Sequence, residues 1–366
     1  FDLALRSIKR TPFISGLMVL ALAAGVGLTI TMLSIFLQLQ NDASASLKNA
    51  PYAVQFQTQD EGVDAPYAGA WRQVTYRDAF ALNNSGTAAQ TLMMFKSSYA
   101  IKKDSPTAQP VFEPVRVTSA SFFSMFELEF IAGSSWNETV DKEGGYEVVI
   151  AQSLAQQLFG NQHALGQAIT LDGKPYRVVG IVKDYNPSPK FYDLNNTIFT
   201  GERVYMPVSL TPIERIASHG NNNGWKSEPI NSFEDRLASE TLWLQAWVSY
   251  DNEQQRNEIE SWAKAYITEQ QKLGRFQSDN PQMFLRTTTE WMEINNVVAE
   301  ESTILLAISS LFLVICIINT IGLLLGKFIK NAPAVGTRRA LGASQLQIFM
   351  QHIVEVAMIG AAGSLL

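Results

Sequence analysis

Between Arg10 and Asp42 the chain carries no charged side chain, and residues 13–37 of that interval are almost wholly apolar or small. About 20 such residues cross a bilayer as a helix, which closes its own hydrogen bonds where no water can do so. A second charge-free run covers 302–326, and a third, 348–366, carries only His352 and Glu355. Core helices of soluble proteins are rarely this long without a charge, so all three runs are read as membrane spans; the two polar residues make the third the weakest pattern. A secretory signal would have a shorter apolar stretch and a small-residue cleavage site. Here Phe36-Leu37-Gln38-Leu39 stands where that site should be, so the first run is read as a retained helix. The third run reaches the last residue. A helix ending inside a bilayer leaves its last carbonyls unpaired, so a fourth span is expected beyond Leu366.

The flanks give an orientation. Arg6, Lys9 and Arg10 precede the first run, and Lys327, Lys330, Arg338 and Arg339 follow the second, with no Asp or Glu between Ser302 and Val354. Asp42, Glu300 and Glu301 lie at the opposite ends. Basic residues close to spans stay cytoplasmic. Residues 1–40 are therefore read as a cytoplasmic N-terminal segment and the first span. Residues 41–300 form a large outer domain, and 301–366 hold the second span, a cytoplasmic loop and the third span. The expected fold is a membrane α-helical protein of four spans, three of them present, with a large α+β domain between the first and second.

Composition narrows the function classes. Only 17% of the 366 residues are charged and the net charge is −6, so a nucleic-acid partner is not expected. Cys316 is the single cysteine and permits no intrachain disulfide. His163, His219 and His352 lie far apart, and no metal site is expected.

The outer segment reads as folded. Residues 51–58 alternate Tyr52, Val54 and Phe56 as a half-buried strand does. A helix is expected over 75–82, strands over 91–101 and 111–117, and a helix capped by Ser119 through 126. A strand at 146–150 precedes a helix at 153–159 that Gly160 can end in the left-handed conformation. Asp172-Gly173 between 168–171 and 176–182 is a hairpin signal. Residues 188–223 are rich in loop residues around a strand at 203–207, and 221–224 (Asn-Asn-Asn-Gly) is expected to be a disordered tip. A strand at 241–250, an amphipathic helix at 252–272 with Ile259, Trp262, Ala263 and Ile267 on one face, and a strand at 283–287 follow. Residues 290–296 are expected to feed the second span. The order predicts a part from 50–116 plus 239–288 and an inserted β-rich part from 117–207. Trp225, Trp243, Trp247 and Trp262 read as core; Trp291 reads as an interfacial or stalk residue.

Small residues recur every four positions at Ala21, Gly25 and Thr29 in the first span and at Gly322 and Gly326 in the second, a spacing that lets helices approach closely in lipid. Asn319 is polar at membrane depth and is expected to face protein, and Glu355 reads as an interhelical hydrogen-bonding group. Lys327 and Lys330 are accounted for by orientation alone. Within the loop 327–347, residues 337–341 can form about one helical turn that Gly342 stops, leaving Leu341 as an apolar knob. No Gly-x4-Gly-Lys-[Ser/Thr] loop occurs, since Gly326-Lys327 is followed by Phe328 and lacks the upstream glycine. No catalytic residue, metal or cofactor is assigned to the chain.

These residues resemble a known family. Val117-Thr118-Ser119-Ala120-Ser121-Phe122-Phe123 is similar to the "V-T-x-x-F-F" opening of the MacB-type periplasmic core domain. The likeness continues through Val148-Val149-Ile150, Leu158-Phe159-Gly160 and Leu165-Gly166, and through Tyr176–Asp184 against "y-x-V-V-G-V-v-x-D". Val335, Gly336, Thr337, Arg338, Arg339, Ala340, Leu341, Gly342, Ala343 and Ser344 resemble the "I-G-[IT]-R-R-A-L-G-A-S" signature of FtsX-type permeases. Glu355 stands where that family often has a Glu. One position departs: an acid is usual before the Ile-Gly pair, and here it is Ala334.

The resemblance implies a permease of the mechanotransmission type, working as a dimer with a second copy or a related permease in a bacterial inner membrane. ATP and Mg²⁺ would sit on partner ABC ATPase subunits, and a periplasmic adaptor can join the assembly. Residues 335–344 would be the ATPase-coupling loop. The first two helices would continue outward as stalks around 38–48 and 291–301. Export from the periplasm and lipoprotein extraction both fit. An alternative keeps the anchor and makes the outer domain a regulator or sensor of a periplasmic or cell-wall partner.

Overall fold

The computed structural model describes residues 11–40, 44, 47–160, 162–195, 201–297, 300–330 and 332–365. Two compact units emerge: Phe1–Gln40 with Val298–Leu366, and Asn41–Val297. The basic flank Arg6, Lys9 and Arg10, and residues 41–43 and 45–46 of the stalk expected at 38–48, lie outside the described residues.

Helix α1, Pro12–Gln40, opens the first unit. The second unit begins with strands β1 (Tyr52–Phe56) and β2 (Val74–Thr75) and helix α2 (Tyr76–Asn83). Thr75 caps α2, its Oγ1 accepting from the Asp78 amide. Strands β3 (Gln90–Lys103) and β4 (Val111–Thr118) follow, then α3 (Ser121–Met125), β5 (Phe130–Gly133) and α4 (Glu138–Glu143). Next come β6 (Glu147–Ala151), α5 (Gln152–Phe159), β7 (Ala168–Leu171), β8 (Lys174–Val182), β9 (Val204–Pro207), α6 (Leu210–Glu214) and α7 (Phe233–Ala238). Strand β10 (Leu242–Ser249), helix α8 (Glu253–Lys272), strand β11 (Met283–Thr287) and helix α9 (Thr288–Ile294) complete the unit. The first unit resumes with α10 (Glu300–Lys330), α11 (Ala332–Ala340) and α12 (Gln345–Leu365).

The outer unit is built on one sheet in the order β11-β1-β10-β3-β4-β9-β6-β8-β5, with β2 beside β10 and β7 beside both β3 and β8. The two parts expected from the chain order thus share a sheet. They meet where β4 pairs in parallel with β9, Val115 opposite Val204 through Thr118 opposite Pro207, and where β3 pairs antiparallel with β7, Ile101 opposite Leu171 through Lys103 opposite Ile169. Successive residues of the central strands enter opposite cores. Met93 and Phe95 join one cluster and Leu92 and Met94 the other; Val148 and Ile150 join the first and Val149 the second. Helices cover both faces, with α2, α5 and α6 over the first cluster and α3 and α9 over the second. This two-sided burial overturns the half-buried reading of β1. Ala53 and Gln55 are as buried as Val54 and Phe56, because β1 lies between β10 and β11 under a covered face.

Several local expectations are corrected. Ser119 does not cap α3. Its Oγ turns to Asn83 Oδ1 at 3.2 Å, and Ala120 takes the cap position without a side-chain bond. Gly160 ends α5 at φ 59°, ψ −123°, a positive-φ exit outside the left-handed helical well. Residues 221–224 are tied down: Asn223 exchanges both backbone hydrogen bonds with Leu242 at 2.9 Å, and its side chain donates to Gln73. Helix α9 is a separate element with its own Thr287–Glu290 capping box, so it does not run on into the span. Trp291 is accordingly a core residue. It is 3% exposed, and its Nε1 donates to the Phe191 carbonyl at 2.9 Å.

Candidate functional site

Three helices of the first unit are long and apolar enough to cross a membrane: Pro12–Leu39, Ser302–Lys330 and Gln345–Gly363. The small residues of α1 bring α10 close. A Cβ built on Gly25 would lie 3.0 Å from Leu313 Cδ1 and 3.3 Å from Leu313 Cα and Cys316 Cβ. One turn on, Thr29 Oγ1 lies within hydrogen-bond reach of the Gly25 carbonyl (2.9 Å) and, across the interface, the Ser309 carbonyl (3.0 Å). Ala21 is half-buried one turn before. Leucine at position 25 would overpack this contact at a cost of about 1–3 kcal/mol. The Gly25→Leu variant is expected to lower the thermal midpoint of the detergent-solubilised chain, whereas Gly27→Leu, where a Cβ meets nothing within 4 Å, leaves it unchanged. Equal midpoints in both variants would remove the close approach.

Gly322 and Gly326 stand apart from this packing, since a Cβ on either meets nothing within 4 Å. Asn319 lies on the same outward side of α10 and is exposed. The close approach that the sequence did not mark is at Gly363 in α12, where a Cβ would come within 2.8 Å of Leu22 Cβ.

The segment 335–344 is more helical than its sequence promises. Helix α11 covers nine residues, with Thr337 Oγ1 donating to the Pro333 carbonyl. The Leu341 and Gly342 amides close its last turn on Thr337 and Arg339, and Gly342 turns the chain at φ 98°. Val335 and Ala343 are half-buried; Gly336, Thr337, Arg339 and Ala340 are exposed. The side chains of Ala334 and Arg338 lie outside the described residues. Leu341 is 84% exposed, more than any other large apolar side chain described. Ser344 starts α12 instead. Its Oγ accepts from the Gln347 amide while Gln347 Oε1 accepts from the Ser344 amide, a reciprocal cap.

The structure gives Glu355 an interhelical partner and shows a further buried charge cluster, at Arg116, that the sequence did not mark. In the first unit Lys327 is 3% exposed, with its Nζ bonded to Glu355 of α12 and 3.3 Å from Ser15 Oγ of α1. Orientation alone therefore does not account for Lys327, which joins three helices. In the outer unit Arg116 reaches Asp193 (2.7 Å) and Glu202 (2.5 Å), and Glu202 also accepts from Lys190 (3.0 Å) and the Tyr192 hydroxyl (2.9 Å). All four ionic groups are buried. Burial raises the Glu202 carboxyl, but Arg116 and Lys190 outweigh it and hold it at about 2. The advance signal in the outer unit would have been Arg116 within β4, since Lys190, Asp193 and Glu202 lie outside the strands. Among the described residues no group of three or more His, Cys, Asp or Glu is placed to hold a metal ion.

Comparison with known proteins agrees with the motifs. The chain is 26% identical over 246 residues to the macrolide export ATP-binding/permease protein MacB of Escherichia coli, covering 67% of this chain and 32% of that protein. It is 23% identical over 243 residues to the pyoverdine export ATP-binding/permease protein PvdT of Pseudomonas entomophila, covering 66% and 32%. The chain spans about a third of the length of these relatives. The periplasmic region of MacB from Actinobacillus actinomycetemcomitans superposes with a TM-score of 0.43 at 13% identity, over 70% of this chain and 98% of that one. The family model of the MacB-like periplasmic core domain matches residues 15–266, well over half of the sequence, and the chain therefore belongs to that family.

Proposed function

We propose that this chain is the membrane permease part of an ATP-binding-cassette complex that passes ATP-driven motion to its outer unit. The observation that carries the reading is Leu341. A large apolar side chain just past the end of a short helix that carries Thr337, Arg338 and Arg339, between two apolar helices, is left uncovered within the chain. Such a knob needs an apolar cleft on a partner, and an ATPase bound at the cytoplasmic face supplies one. ATP and Mg²⁺ sit on that ATPase and not on residues 1–366. Closure of two ATPases moves α11, and the packed pair α1–α10 carries the movement toward residues 41–297.

In this reading the protein lies in a bacterial inner membrane, with its basic ends inside and the 41–297 unit in the periplasm. It pairs with a second copy or a related permease, and the open face of Asn319, Gly322 and Gly326 is available for that pairing. The work done is export from the periplasm, through an adaptor, or extraction of a lipoprotein.

Leu341→Asp tests the coupling. An unpaired carboxylate in an apolar cleft weakens association by about a hundredfold or more, while the basic flanks that set insertion are untouched. The variant is expected to insert normally and to lose copurification of the ATPase, or stimulated ATP turnover in reconstituted membranes. Retention of both would reduce 335–344 to a topological loop.

A further inference from the structure

A cleft of about 870 Å³ opens on the outer unit between α2, the start of β3, α4 and α6. That volume lies in the range of small-molecule sites. One wall is aromatic: Tyr76 and Phe80 stack at 5.8 Å and 18°, and Tyr76 is backed by the buried Trp243 at 6.1 Å and 11°. The opposite wall is Ile213. Phe80 and Ile213 are 52% and 56% exposed, so the apolar surface faces the opening.

The wall positions are fixed before any ligand arrives. Ser209 Oγ donates to the Val140 carbonyl at 3.0 Å, which ties α6 to α4. Gly144 (φ 87°) lets α4 end against α6, where a Cβ would come within 2.8 Å of Ile213 Cδ1. The rim is acidic. Glu138, Asp141 and Glu143 face the single cation Lys142, which pairs with Glu138 at 2.6 Å. Asp141 is occupied by the Trp136 indole and the Ala120 amide, each at 2.7 Å. Glu143 is exposed and makes no ion pair among the described residues.

An aromatic face beside an uncompensated carboxylate attracts a cation with an apolar body: the ring quadrupole and the carboxylate act on the charge, and the apolar walls on the rest. We propose that this cleft binds organic cations, with the apolar body against Tyr76, Phe80 and Ile213 and the charge near Glu143. The site does not depend on coupling to an ATPase, and its test needs none.

The test uses the full chain in lipid nanodiscs, with tetraphenylphosphonium as probe, equilibrium dialysis as readout and empty discs as background. Saturable binding above background is expected. Glu143→Lys should weaken it about tenfold and Phe80→Ser about threefold; both side chains are exposed, so both variants should keep the circular dichroism of the parent. Glu258→Lys, the same change of net charge on α8 outside the cleft, should leave affinity unchanged. The anion of the same shape, tetraphenylborate, dialysed on its own, should show no saturable binding above empty discs. Absence of saturable binding, an unchanged affinity in Glu143→Lys, an equal loss in Glu258→Lys, or equal saturable binding of the anion would each overturn the proposal.

Discussion

Replacing Glu355 with alanine is expected to destabilise the packing of α1, α10 and α12 by about 3–5 kcal/mol, the cost of stranding a buried charge. The charge left behind is Lys327, 3% exposed, whose ammonium would keep only Ser15 Oγ of the partners named above. Lys327→Met should cost a similar amount, because the buried Glu355 carboxylate loses its cation. The double variant Lys327→Met/Glu355→Met should recover most of the loss, because the desolvation penalty disappears with both charges and two methionines fill the space. The measurement is the unfolding midpoint of each variant in mixed micelles with increasing SDS. A single variant as stable as the parent, or a double variant as damaged as the singles, would refute the pairing. This clip also makes α12 dependent on Lys327, a residue whose position next to a span looks merely orientational in the sequence.

Arg116→Met should have an effect of the same size on the outer unit. Asp193 and Glu202, both buried, lose their guanidinium, and Glu202 keeps only Lys190 and Tyr192. A loss of about 3–5 kcal/mol is expected. The pH dependence has a definite sign. Glu202 is held at about 2 in the fold against an ordinary value of 4.5. Its charged form therefore contributes stability that is fully present above about pH 4.5 and is lost as pH falls toward 2. Without Arg116 the carboxyl rises, so acid unfolding should begin at a higher pH in the variant. All seven Trp lie in the outer unit, between Trp71 and Trp291, so tryptophan emission during an acid titration of the full chain reports this unit alone. Coincident acid midpoints for parent and variant would contradict the assignment.

The two clusters mark what sequence periodicity cannot reach. Arg116, Lys190, Asp193 and Glu202 come from β4, the loop after β8 and the approach to β9, and they meet only because β4 and β9 pair in parallel. Lys327, Glu355 and Ser15 lie on three helices whose azimuths are set by packing at Gly25 and Gly363. Trp291 shows the same limit from the other side. Its closeness to a span suggests an interface, yet the capped turn at Thr287 and a carbonyl on Phe191 draw it into the core.

The sequence by itself determined the elements whose cause is local. Charge-free length specifies the apolar helices α1, α10 and α12. Asp172-Gly173, both at positive φ, specify the β7–β8 hairpin. Asn252 and the spacing of Ile259, Ala263 and Ile267 specify α8 and its buried face. The family motifs at 117–123 and 176–184 were legible because they are contiguous. Only the tertiary structure decided that β1 is buried on both faces, that the strands of 52–118 and 130–207 form one sheet, that Lys327 seeks Glu355, and that the cleft at Phe80 has an acidic rim. Each of these depends on which distant segments meet. That choice is made by the summed burial of many side chains at once, and no window of sequence contains it.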